Sequence, residues 1–186
     1  MRRLLLAGIA GLVVACGVPL DAGPVPIEIE YELPEDVAAS DGEDLVAMLM
    51  FLVRTDRLVP VTRDLPATAD LHGVIDSLLD GPTVPEERSQ LRTAIPPATM
   101  LLGVESDGSV AIVDLSAGFT SVGGEEELLA VAQFVLTLTS LPGIDSVGFR
   151  VEGRPTNVPL PSGALSEAPV TAEPYLNLLD LGDESG

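Results

Sequence analysis

With one cysteine in 186 residues, no disulfide can form within this chain, so its fold has to stand on packing alone. The material for that packing is aliphatic. Hydrophobic residues make up 46% of the chain, yet aromatics only 3% and tryptophan is absent, so Val, Leu, Ile and Ala must supply the core. The length suggests one domain of ordinary size. Net charge is −20, from 9 basic residues (all arginine) against 29 acidic ones. Such a field repels nucleic acid and anionic lipid headgroups, so DNA and RNA are excluded as expected partners.

The position of that cysteine carries the first functional reading. Arg2-Arg3 is followed by an uncharged apolar run from Leu4 to Ala15, and Cys16 comes directly after it. A positive start, a short apolar stretch and a small residue before the break describe a secretory signal peptide. The run falls short of the roughly 20 apolar residues that a lasting membrane span needs. Val13-Val14-Ala15-Cys16 resembles the bacterial lipobox, whose cysteine takes a diacylglycerol thioether and becomes the mature N-terminus. The expectation is therefore a leader over residues 1–15, cleavage between Ala15 and Cys16, lipid attachment at Cys16, and a protein anchored on the extracytoplasmic face of the cell membrane. Residues 16–44 then form an acidic, proline-rich linker that like charges keep extended. Within it, Ile27-Glu28-Ile29-Glu30-Tyr31 alternates like a strand.

Order is expected from Leu45. Leu45–Arg54 and Arg57–Arg63 read as strands around a Thr55-Asp56 turn. Leu71, Val74, Ile75, Leu78 and Leu79 recur at helical spacing from Asp70 to Asp80, with Thr68 or Asp70 as cap and Gly81-Pro82 as stop. One helical turn is expected at Glu86–Leu91. Asp107-Gly108 marks a hairpin. Placed at the two central turn positions, it pairs Val104 with Ala111, Leu102 with Val113 and Met100 with Leu115. All of these residues are apolar and share one face. A second helix spans about Glu125–Leu141, its first turn carrying Glu125-Glu126-Glu127 as dipole complements, and Ser146–Val151 is a last strand. The order β-β-α-β-β-α-β predicts an α+β fold: a single two-layer domain over residues 45–155, a mixed β-sheet with two helices packed on one face. An acidic, proline-rich tail over 156–186 would dock in part, through Pro169–Leu179.

Several blocks in order resemble the GerMN domain: FLVRTDRLVPVTRDLP (51–66), VIDSLLDGPT (74–83), LRTAIPP (91–97), VAIVDLSAGF (110–119) and QFVLTLTSLPGIDSVGFRVEGRP (133–155). The resemblance implies a fold like that of the ring-building modules of secretion-like assemblies. It also implies a role in exported lipoproteins, among them those of sporulation and germination and some linked to envelope signalling, as an envelope interaction or assembly module. Partners would be envelope proteins or further copies of the chain.

Residues that could carry chemistry are sparse. His72 is the only histidine, and a catalytic base needs an orienting group and a target. Ser116 has no nucleophile-elbow sequence around it and reads as a loop or cap hydroxyl. One histidine and a lipidated cysteine cannot make a zinc site, and no calcium loop is present. Gly123-Gly124 precedes a helix as phosphate loops do, but three glutamates follow it. Glu86-Glu87 and Asp114 read as solvated carboxylates rather than a glycosidase pair. The expectation is no catalytic residue, no metal, no cofactor and no enzyme. The alternative is a lipoprotein that binds a small ligand or a cell-wall fragment.

Overall fold

The computed structural model describes residues 44–180. The expected leader, Ala15, Cys16, the expected linker through residue 43 and the Ile27–Tyr31 stretch lie outside the described residues. β1 (Leu45–Arg54) and β2 (Arg57–Pro66) pair antiparallel around Thr55-Asp56, and β2 runs on past Arg63. Their closing pair, Arg54 and Arg57, sets the alternation. Even-numbered residues of β1 bond to β2, and odd-numbered ones turn their N–H and C=O outward. Pro60 and Pro66 occupy outward positions on β2, where a missing N–H leaves the ladder intact. Met50, Phe51, Leu52 and Val53 are all buried, so this half of β1 is covered on both faces. That is why its sequence runs apolar without alternating.

α1 (Leu71–Leu79) starts where the Asp70 carboxylate accepts from the Gly73 N–H at 3.1 Å, and Gly81, at φ 74°, follows its end. α2 (Val84–Arg88) replaces the turn expected at Glu86–Leu91. It begins earlier because Glu86 reaches back to accept from the Thr83 N–H at 2.6 Å, with proline in the first turn.

β3 (Leu101–Asp107) and β4 (Val110–Leu115) form the expected hairpin in a different register. Asp107 pairs with Val110, so Gly108 and Ser109 are the central residues, with Gly108 at φ 62°. Glycine at the first central position suits a II′ turn, whereas Asp-Gly at the centre would have made a I′ turn. Moving the turn by one residue moves each partner by two: Val104 meets Val113 instead of Ala111. The face is preserved on β4, where Ala111, Val113 and Leu115 are buried. On β3 it is not, because a bulge between Leu101 and Gly103 turns Leu101 inward and leaves Met100 61% and Leu102 49% exposed.

Ala117–Ser121 forms a 3₁₀ turn, and α3 (Glu125–Thr139) follows. Every residue of α3 from Leu129 to Leu138 is buried, so the expected inward stripe is an all-round burial. The helix packs against β1 as well as β5 (Ser146–Val151). The fold is α+β with a mixed sheet, β3-β4-β5-β6, in which β4 and β5 run parallel and the outer pairs antiparallel. The β1–β2 hairpin stands as a separate ribbon. Phe119, Phe134 and Phe149 meet at the centre, with ring centroids 5.8 to 6.0 Å apart.

Residues beyond β5 continue the fold. β6 (Arg154–Pro155) returns along β5 through Glu152-Gly153, and β7 (Val158–Pro159) pairs with β8 (Leu165–Ser166). Val170 bridges Val147, and a 3₁₀ turn at Glu173–Leu178 buries Tyr175, whose hydroxyl donates to the Pro159 carbonyl at 2.9 Å. Leu179 then lies parallel to Leu58, with the Asp180 N–H on the Leu58 carbonyl at 2.8 Å.

Candidate functional site

Polar side chains on α3 finish the edge of β1. The Gln133 amide nitrogen donates to the Phe51 carbonyl at 2.9 Å, and its oxygen accepts from the Ala94 N–H at 2.7 Å. Thr137, one turn on, accepts from the Phe51 N–H at 3.2 Å, and the Ser140 hydroxyl donates to the Leu49 carbonyl at 3.3 Å. Val53, the next outward residue, exchanges both backbone bonds with Arg92 at 2.8 Å. A buried backbone edge needs such partners, and spacing of four and three residues along a helix supplies them in a row. Nothing in the sequence separated Gln133 and Thr137 from the apolar stripe except their polarity within it.

Cover ends at Ser140. Among the described residues, the outward groups of Leu45 and Ala47 and the Leu49 N–H have no partner. Leu45, Val46 and Leu49 are exposed there, Leu45 to 59%. Beside them opens a cleft of about 480 Å³, lined by Met48, Leu71, Val74, Leu141 and Ile144, with Asp70 and Ser106 as its polar members.

A second cleft, about 520 Å³, lies over Arg63. This guanidinium donates to the carbonyls of Ser77 at 2.5 Å and Gly81 at 2.7 Å and to both oxygens of Glu86, at 2.6 and 3.2 Å. It thus ties β2 to the C-terminal end of α1, where a cation suits the dipole, and to α2. Both side chains are nearly buried, Arg63 at 11% and Glu86 at 14% exposed, so Glu86 is not the solvated carboxylate expected. Partial burial pushes the Glu86 carboxyl upward. Hydrogen bonds from Arg63 and Thr83, with the Arg63 charge, outweigh that and hold it below the ordinary carboxylate range. A general acid needs the opposite shift.

The other singled-out residues take structural positions. His72 is exposed on α1, its Nδ1 2.9 Å from Asp76 one turn away. Ser116 is buried; its hydroxyl donates to the Ala98 carbonyl at 3.2 Å and accepts from the Met100 N–H at 3.0 Å, fastening the loop before β3. Asp114 is half-buried rather than solvated and accepts from the Gly153 N–H at 2.9 Å. Glu125, Glu126 and Glu127 occupy the first turn of α3 as expected, and Glu126 takes a two-pronged contact from Arg92, both at 2.8 Å. Gly123 and Gly124 precede that turn, Gly124 at φ 65°. Among the described residues there is no cluster of three His, Cys, Asp or Glu that could hold a metal, and no helix long and apolar enough to cross a membrane.

Comparison with known proteins bears on the fold and the family. The tandem GerMN domains of the sporulation protein GerM from Bacillus subtilis superpose with a TM-score of 0.52 at 23% identity, covering 69% of this chain and 45% of that one. This chain thus spans less than half of that tandem structure. The first GerMN domain of the same protein gives a TM-score of 0.49 at 23% identity over 68% of this chain and 95% of that one. At these identities the likeness concerns the fold. No curated protein matches the sequence. The Germane family, described as "Sporulation and spore germination", matches residues 39–157. As that match extends over more than half of the chain, the protein belongs to the Germane family.

Proposed function

We propose that this protein is an exported lipoprotein, held on the extracytoplasmic face of the cell membrane by lipid on Cys16, whose GerMN-like domain is a non-catalytic interaction or assembly module of the envelope in sporulation or germination. The match to the Germane family over residues 39–157 is the observation that carries this reading. It is supported by the lipobox-like Val13-Val14-Ala15-Cys16 and by polar side chains that serve the fold: Gln133 and Thr137 the edge of β1, Ser116 a loop, Arg63 and Glu86 three elements at once. Two acyl chains at the N-terminus give stable attachment even though the acidic domain is repelled by anionic headgroups.

Cys16→Ser is expected to abolish lipid labelling and to move the protein from the membrane to the soluble fraction. Membrane retention and labelling that survive the substitution refute the anchor. Cross-linking in intact cells tests the module: reproducible capture of an envelope protein or of a second copy is expected, and a tethered protein that captures neither overturns the reading.

A further inference from the structure

We propose that the half of the β1 edge left without a partner among the described residues, Leu45 to Leu49, takes an added strand from a partner protein whose extended segment is flanked by lysine or arginine. This rests on the interaction reading above and gives it a surface. Unpaired backbone groups in a row along an edge are completed by another strand. Among the described residues those groups are the N–H and C=O of Leu45 and Ala47 and the N–H of Leu49, directly before the stretch that α3 and Arg92 have closed. Exposed Leu45, Val46 and Leu49 offer apolar contact to the incoming side chains, and the cleft beside Met48 offers them depth.

The remaining edges are less suited to an added strand. β2 presents Thr62 and Asp64 between Pro60 and Pro66, and farther along its Leu58 carbonyl is taken by Asp180. β3 is broken by its bulge and exposes Glu105, Ser106 and Asp107. β5 is closed by Val170, Thr156 and β6.

Charge selects the occupant. Asp64 stands directly across from Ala47, Asp44 precedes the strand and Asp70 lines the cleft, all three exposed. Arg63, directly across from Met48, is committed to Glu86. With a net charge of −20 and no lysine, a second copy would bring like charge to this edge, whereas a basic segment is drawn to it.

The test uses the full-length chain and three synthetic peptides. One alternates valine and threonine between lysine pairs, one carries glutamate pairs instead, and one is the lysine form with a central proline. Amide exchange is read at Ala47 and Leu49 while binding is titrated. The lysine-flanked peptide is expected to slow exchange at both amides and to bind at least about tenfold tighter than the glutamate form. The proline form is expected not to bind. Ala47→Pro should abolish binding yet keep the fold, because the N–H it removes points away from β2. If that variant unfolds, the proline-interrupted peptide makes the same test on the unaltered protein.

No protection by any peptide, equal binding of the two charge forms, or binding of the proline form overturns the proposal. So does protection that appears without peptide as protein concentration rises, which would give the edge to a second copy. Partners captured equally in cells by the Ala47→Pro variant would sink this edge alone and leave the interaction reading standing.

Discussion

At Gly118 the chain leaves no room for a side chain: a Cβ there would collide with the Ala98 carbonyl and crowd the Thr99 nitrogen. Ser116 holds that same loop from the other side through Ala98 and Met100. Gly118→Ala should therefore cost about 1–3 kcal/mol, since the loop cannot retreat without losing those bonds. Urea unfolding measures it, and an unchanged midpoint would mean that the loop yields. Gly108 makes a different demand. Nothing lies near the position a Cβ would take, but its φ is 62°, in the left-handed region. Gly108→Val is expected to cost about 1–2 kcal/mol through the backbone alone, and Gly108→Asn less. Equal stability of all three chains would show that this turn can rearrange.

Among the elements, Gln133 tests how α3 and β1 hold each other. Gln133→Leu keeps the volume but leaves the Phe51 carbonyl and the Ala94 N–H buried without partners. Each unmade bond costs about 1–3 kcal/mol, so a lower unfolding midpoint is expected, with faster amide exchange at Ala94. Local signals were the part of the structure that could be read in advance. Asp70 and Gly81 bound α1 as cap and stop, and Thr55-Asp56 closes the first hairpin, because caps and turns are settled by a few neighbouring residues. The second hairpin turns one residue later than its alternating pattern predicts. Asp107-Gly108 and Gly108-Ser109 both put glycine where φ is positive, and choosing between them depends on the bulge near Leu101, which the alternating apolar pattern does not reveal. The cover of α3 on two sides was equally illegible. A helix with apolar residues all round can be buried by one sheet or by two, and only the tertiary arrangement distinguishes them. The Arg63–Glu86 pair joins residues whose separate signals were a strand end and a helix start.

For the molecule as a whole, the segment after β5 acts as a closure. Tyr175 is fully buried, and burial pushes its hydroxyl up to about 12 from an ordinary 10.0. The neutral form is thus favoured in the folded state. Its contribution to stability is complete below pH 10.0 and is lost as the pH climbs toward about 12. The unfolding midpoint should fall across that interval, and Tyr175→Phe, though less stable for want of the bond to Pro159, should lack that part of the fall. A fall of the same size in both chains would place its origin elsewhere. The junction of Leu179 and Asp180 with Leu58 has a temporal consequence. A chain delivered amino end first exposes the opening hairpin well before Leu179 and Asp180, so the seal at Leu58 is among the later contacts that the domain can make.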